Sequence, residues 1–187
     1  MVYLFLADGF EEMETITAFD VLQRCGLEVK LLSITGKRVV IGGHGLILKV
    51  DGLFRKNVVE NAQALVLPGG MPAAKTLLNC DRLRQALVQH NHKGTLLAAI
   101  CAAPMVLGSI GLLEGKKATC YPGFEKYLTG ATYTAQLFQE DGNIITGEGP
   151  AASLPYAYRI LSYFVSEDEV RAMQHGMMYA HLMGTEA

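Results

Sequence analysis

The sequence predicts a single α/β domain built on a mostly parallel sheet. Apolar runs at Val2–Leu6, Ala64–Leu67 and within Thr95–Ile100 read as strands buried on both faces. Each run ends in a turn of small residues and is followed by a helical pattern, the alternation of βαβ units joined by right-handed crossovers. The 187 residues, 50% hydrophobic and 18% charged, are enough for one domain with a substantial core.

Along the chain, Val2–Leu6 is the first strand and ends at Asp8-Gly9. A helix follows from about Glu11. Its acidic start complements the helix dipole, and Gly26 ends it. Glu28–Ile34 is a second strand, and Val39–Ile41 and Leu46–Val50 are short strands around the Gly42-Gly43-His44-Gly45 turn. Ala64–Leu67 runs into Pro68-Gly69-Gly70 and a helix through about His90. Thr95–Ile100 is a strand, and Ala102–Ser109 a helix. Thr119–Tyr121, Thr132–Tyr133, Leu137–Gln139 and Ile144–Thr146 are short strands, the last two joined by a turn at Asp141-Gly142-Asn143. Helices over Ala151–Phe164 and Glu167–His181 close the chain.

Composition excludes several partners. A net charge of −2 and an even scatter of Lys and Arg leave no basic face for nucleic acid. Gly94–Leu113 carries no charge, but Pro104, Gly108, Ser109 and Gly111 interrupt it, so a buried strand and helix fit better than a membrane span. The apolar N-terminus lacks a basic segment and runs directly into Asp8, Glu11 and Glu12, unlike a signal peptide. A cytoplasmic, reducing location and free thiols are therefore expected. Cys25, Cys80, Cys101 and Cys120 form no C-x-x-C pair, and neither they nor the histidines show metal-ligand spacing. No P-loop or G-x-G-x-x-G cradle for phosphate is present. No metal or organic cofactor is expected.

In an open α/β sheet, sites form at the carboxyl ends of strands. Asp8-Gly9 with the acidic run beyond it, Pro68-Gly69-Gly70, and Ile100-Cys101-Ala102-Ala103-Pro104 occupy such ends and are expected to converge. Cys101 is a nucleophilic residue flanked by small ones where a buried strand becomes a helix, the setting of a nucleophile elbow. The following helix aims N–H groups at the sulfur and favours thiolate. A buried cysteine is also a common packing residue. Gly69-Gly70 weighs for function, because glycines there let backbone N–H groups approach a ligand as an oxyanion hole.

Leu67-Pro68-Gly69-Gly70, Ala98–Pro104 and Glu11-Glu12-Met13-Glu14-Thr15 together resemble the ThiJ/PfpI superfamily, most of all the branch of the Parkinsonism-associated deglycase (DJ-one) and its bacterial relatives. The similarity extends through Gly147-Glu148-Gly149-Pro150 and the last helices, so residues 1–187 read as one such domain. The resemblance implies a flavodoxin-like three-layer sandwich and a homodimer. It maps the nucleophile onto Cys101 and its acidic partner onto Glu14. A charged Glu14 would raise the thiol pKa, so Glu14 helps the thiolate only by keeping its proton and donating a hydrogen bond. Glu11 and Glu12 read as solvated first-turn residues and Asp20 as structural.

The family often places a histidine before the proline of Cys120-Tyr121-Pro122, where this chain has Tyr121, and no histidine follows Cys101 directly. The missing dyad argues against a peptidase, whose leaving amine needs a general acid. Tyr121 either walls the pocket or bonds a substrate carbonyl. His44 and Arg24 match family positions near the pocket and the dimer contact. His44 reads first as an exposed turn residue and second as a titratable group beside the pocket. Cys120 could resolve an oxidised Cys101, although strand alternation points it away from the side of Tyr121.

The resemblance implies a cofactor-independent glyoxalase or deglycase chemistry on a small carbonyl substrate. Cys101 would form a hemithioacetal, Glu14 would shuttle protons, and the Gly70 and Ala102 N–H groups would stabilise the oxyanion. The alternative is a redox sensor or oxidative-stress protein acting through oxidation of Cys101.

Overall fold

The computed structural model describes residues 1–184. In chain order, β1 is Val2–Leu6, α1 Glu12–Arg24, β2 Val29–Ser33, β3 Val39–Ile41, β4 Ile47–Lys49 and β5 Gly52–Leu53. There follow β6 Ala64–Leu67, α2 Met71–Leu78, α3 Asp81–His92, β7 Leu96–Ile100, α4 Pro104–Ser109, β8 Lys117–Ala118 and β9 Thr132–Tyr133. The chain continues with β10 Phe138–Asp141, β11 Ile144–Gly147, α5 Ser153–Leu161, α6 Glu167–Gly176 and α7 Tyr179–Leu182.

The main sheet runs β10-β11-β7-β6-β1-β2-β5, and only the β10–β11 pair is antiparallel. Its parallel core, β2-β1-β6-β7-β11, has the flavodoxin-like order, which reverses direction at β1. β1, β6, β7 and β11 are buried throughout, and this is why they read as unbroken apolar runs instead of alternating ones. Right-handed crossovers leaving β1 in opposite directions cover opposite faces. On one face α5 packs along α1, and on the other α2 packs against α3 and α4. The result is a three-layer α/β/α sandwich with one continuous apolar core.

Four elements depart from the sequence expectation. The helix expected through His90 is two helices, because Cys80 takes an extended conformation and Asp81 opens a new first turn. The nucleophile helix begins at Pro104, with residues 101–103 in a turn. Thr119–Tyr121 is not a strand; the short strand lies just before it at Lys117–Ala118, paired with β9. The closing helix breaks after Gly176, where Met178 adopts the left-handed conformation at φ 59°. Among the described residues no helix is long and apolar enough to cross a membrane, and Cys25, Cys80, Cys101 and Cys120 are free thiols.

Candidate active site

The carboxyl ends of β1, β6 and β7 meet where the strand order reverses. Glu11 N–H donates to Gly69 C=O at 3.0 Å, which ties the start of α1 to the turn after β6. A β-carbon on Gly70, at φ 88°, would lie 2.1 Å from Gly9 C=O, so only glycine allows this approach. A β-carbon on Gly69 would fall 2.6 Å from both Cys101 Cβ and Glu14 Oε2. Cys101 and Glu14 therefore lie side by side over Gly69.

Cys101 holds the elbow at φ 65°. A non-glycine residue there costs about 1–2 kcal/mol and persists only where its surroundings enforce it. Two hydrogen bonds do so: Cys101 N–H donates to Gly147 C=O at 2.9 Å, and Tyr121 N–H donates to Cys101 C=O at 2.9 Å. The side chain is 9% exposed, enough for a small reagent to reach. The N–H groups of Gly70 and Ala102 both point at the sulfur and favour thiolate. Burial and the charge of Glu14 outweigh them and push the thiol up to about 12.

Glu14 is buried in the first turns of α1. Its Oε2 accepts the Gly69 N–H at 2.7 Å, while Oε1 is buried without a hydrogen-bond partner. Burial raises the carboxyl to about 7; the Gly69 N–H opposes this and the charge of Glu11 adds to it. The pair thus releases one proton near neutrality and holds the second much more tightly. One proton is then shared between the sulfur and the carboxyl.

The remaining predicted residues divide. Ala102 and Gly70 reach the sulfur, whereas the Gly69 N–H is engaged by Glu14. Tyr121 is exposed beside the elbow, with its ring against Gly149 and edge-on to Phe124. His44 is at the rim: its N–H donates to Glu12 Oε1 at 2.6 Å, and its Nδ1 lies 2.8 Å from Glu12 Oε2. That partnership raises the His44 pKa. Arg24 is not brought to Cys101. It sits ten residues beyond Glu14 on α1, about 15 Å along the helix, and pairs with Asp20 at 2.6 Å. Glu11 is not merely solvated: its Oε2 caps α1 through the Glu14 N–H at 2.7 Å. The carboxylates of Glu11 and Glu12 approach His44 closely, but these bonds already occupy them. Cys120 is buried, and burial with nearby Glu125 and Glu148 pushes its thiol up to about 12, unsuited to attack on an oxidised partner.

Sequence reasoning missed two residues at the site. Gly147 supplies the carbonyl that holds Cys101, and a side chain there would strike Ile100 and Tyr156. Tyr156, fully buried on α5, presses on Gly147 from below. The visible signals were a glycine closing the last parallel strand and a tyrosine on the core face of α5.

Comparison with known proteins agrees with this geometry. The model of the DJ-1/PfpI family matches residues 1–163. The chain is 35% identical over 166 residues to protein DJ-1 homolog B of Arabidopsis thaliana, covering 88% of this chain and 38% of that protein. It thus spans less than half the length of that relative. A deglycase of Pyrococcus horikoshii is 35% identical over 154 residues, covering 81% of this chain and 92% of the deglycase. Among solved structures, oxidized DJ-1 of Toxoplasma gondii superposes with a TM-score of 0.89 at 30% identity, covering 96% of this chain and 98% of that one.

Proposed function

Because the chain belongs to the DJ-1/PfpI family, we propose that it converts small dicarbonyls such as methylglyoxal, or their adducts on amines and thiols, through covalent catalysis by Cys101. The observation that carries this is the side-by-side placement of Cys101 and Glu14 over Gly69, with Glu14 near neutrality in its proton affinity. A carboxyl tuned to the working pH is an effective acid and base in turn.

The steps follow from the one proton that the pair shares. The sulfur attacks the aldehyde carbon as its proton passes to the Glu14 carboxylate. The Gly70 and Ala102 N–H groups, which reach the sulfur, stabilise the alkoxide as it forms beside it. Protonation of the alkoxide by Glu14 gives the hemithioacetal. Glu14 then removes the proton from the former aldehyde carbon and returns one to the neighbouring carbon, while the hydroxyl proton of the first carbon passes to the oxygen of the second. This leaves a thioester of lactate on Cys101. Water cleaves the thioester, releasing lactate and restoring the thiol. Tyr121 walls the entrance. The proton route makes the test specific. Lactate formed from methylglyoxal in D2O should carry deuterium at C2, and Glu14→Gln should cut its formation by about 10²–10⁴-fold. Lactate formation undiminished by Glu14→Gln would contradict this route.

The archaeal relative named a deglycase supports this chemistry. The redox-sensor alternative, oxidation of a Cys101 that is 9% exposed, stands second to it. Selective oxidation of Cys101 over Cys25 and Cys80 by mild peroxide, read by mass spectrometry, would reverse that order.

A homodimer is part of the proposal. Met13 and Ile16 on α1 and Ile41 and Ile47 on the β3–β4 hairpin are exposed. The hairpin is tied to the start of α1 by Gly9 N–H to Ile41 C=O at 2.7 Å and Gly43 N–H to Phe10 C=O at 2.8 Å, so these side chains share one region suited to a second copy.

A further inference from the structure

Tyr121 puts an aromatic ring beside the nucleophile. Its N–H donates to Cys101 C=O at 2.9 Å, so the backbone of residue 121 is tied to the elbow. Its ring lies against a second turn: a β-carbon on Gly149 would stand 3.1 Å from Tyr121 Cδ2. Gly149 follows closely on Gly147, whose carbonyl holds the Cys101 N–H. The ring is thus held by both segments that hold the nucleophile. Phe124 meets it edge-on, with ring centres 6.5 Å apart. Tyr121 is nevertheless 46% exposed, and its hydroxyl makes no hydrogen bond among the described residues. Leu137, also exposed, accepts the Glu148 N–H at 2.9 Å and so borders the same 147–149 segment. Apolar surface is therefore left open beside a polar pair of reacting groups.

From this arrangement, and resting on the reading of Cys101 and Glu14 as a dicarbonyl-converting pair, we propose that Tyr121 is a specificity-determining residue whose ring favours uncharged aryl α-ketoaldehydes over methylglyoxal. The reacting pair needs only the two adjacent carbonyl carbons, which all α-ketoaldehydes share. What distinguishes them is the substituent on the ketone carbon. A methyl group offers the Tyr121 ring little area, whereas an aryl group offers a second aromatic surface. An edge-to-face or offset contact between two rings supports up to about tenfold in binding. The carboxylates of Glu11 and Glu14 at the start of α1 disfavour an anionic substituent. The reaction balances as it does for methylglyoxal. The aldehyde carbon is oxidised to a carboxylate, the ketone carbon is reduced to a carbinol, and water displaces the sulfur. Phenylglyoxal thus yields mandelate without an outside oxidant or reductant.

The test measures kcat/KM for phenylglyoxal, read as mandelate, and for methylglyoxal, read as lactate, in the wild type, Tyr121→Ala and Tyr121→Phe. The readout is the ratio of the two substrates within each protein, compared between proteins, so the differing reactivities of the two aldehydes cancel. From wild type to Tyr121→Ala the ratio should fall about tenfold against phenylglyoxal. The loss should appear in the KM for phenylglyoxal and not in its kcat, as expected for a contact remote from the bonds that change. Tyr121→Phe keeps the ring and should keep the wild-type ratio. Both variants retain the backbone bond to Cys101, and the exposed ring is replaced without opening the core.

Turnover of both substrates with the same ratio in the wild type and Tyr121→Ala overturns the inference and leaves the dicarbonyl reading standing. Tyr121→Ala that slows both substrates equally gives that same ratio and marks Tyr121 as a support of the elbow alone. A Tyr121→Phe ratio that falls as far as that of Tyr121→Ala assigns the effect to the hydroxyl and also overturns the inference. A wild type that converts neither substrate overturns both the inference and the reading on which it rests.

Discussion

At the scale of single residues, the site is governed by one carboxyl that burial has moved toward neutrality. Glu14 in the folded chain stands at about 7 against an ordinary 4.5. The folded state therefore binds an extra proton between those values, and stability contributed below about pH 4.5 is lost as pH rises through about 7. The size is about 3 kcal/mol. Urea unfolding at pH 5 and pH 8 measures it: Glu14→Gln should show a smaller loss between the two and should exceed the wild type at pH 8. An unchanged pH slope in the variant would remove Glu14 from the site's electrostatics. Gly69 offers a second check. Gly69→Ala drives a methyl into Cys101 Cβ and Glu14 Oε2, each 2.6 Å away. It should cost about 1–3 kcal/mol and separate the pair; lactate formation at wild-type rates would contradict the close approach. Cys101, Gly69-Gly70 and Glu14 were legible because local pattern and family resemblance coincide on them. How far burial raises Glu14 was not legible, since it depends on turns that meet only in the folded chain. Motif matching carries no distance, and ten residues of helix separate Arg24 from Glu14 within one copy of the chain.

At the scale of elements, the buried parallel strands were the easiest to read, as their apolar runs need no periodicity to identify them. The errors fall where a helical pattern runs on across a break in the helix. Leu78-Asn79-Cys80-Asp81 carries a helical pattern across a real boundary, and Met177-Met178 interrupts α6 and α7 through a left-handed methionine. Lys117–Ala118 is too short for alternation to locate it. The capping box of α6, Ser166 with Glu169, shows the opposite case, in which the local signal and the observed start coincide. α4 is short and almost wholly buried, and its Gly108 lies under the carbonyl of Tyr127, with a β-carbon there placed 2.0 Å from that oxygen. Gly108→Ala should therefore push the 125–127 turn outward and lower stability by about 1–3 kcal/mol. Because α4 follows the elbow directly, the same variant should slow Cys101 alkylation. Equal unfolding midpoints for the variant and the wild type would show that α4 does not depend on this contact.

At the scale of the molecule, the reversal of strand order at β1 collects three turns into one place, and the sandwich buries everything behind them. The fold class was readable from βαβ alternation; the partner face was not, because exposed apolar residues on α1 and on a distant hairpin become neighbours only in three dimensions. Replacing Met13 and Ile47 together with Asp should convert a dimer to a monomer in light scattering, with the far-ultraviolet circular dichroism unchanged. An unaltered mass would place the interface elsewhere. The central claim is that Cys101 performs the chemistry, and lactate production from methylglyoxal by the wild type and Cys101→Ser tests it most directly. The account predicts turnover by the wild type and background rates for the variant; equal rates in the two would contradict it.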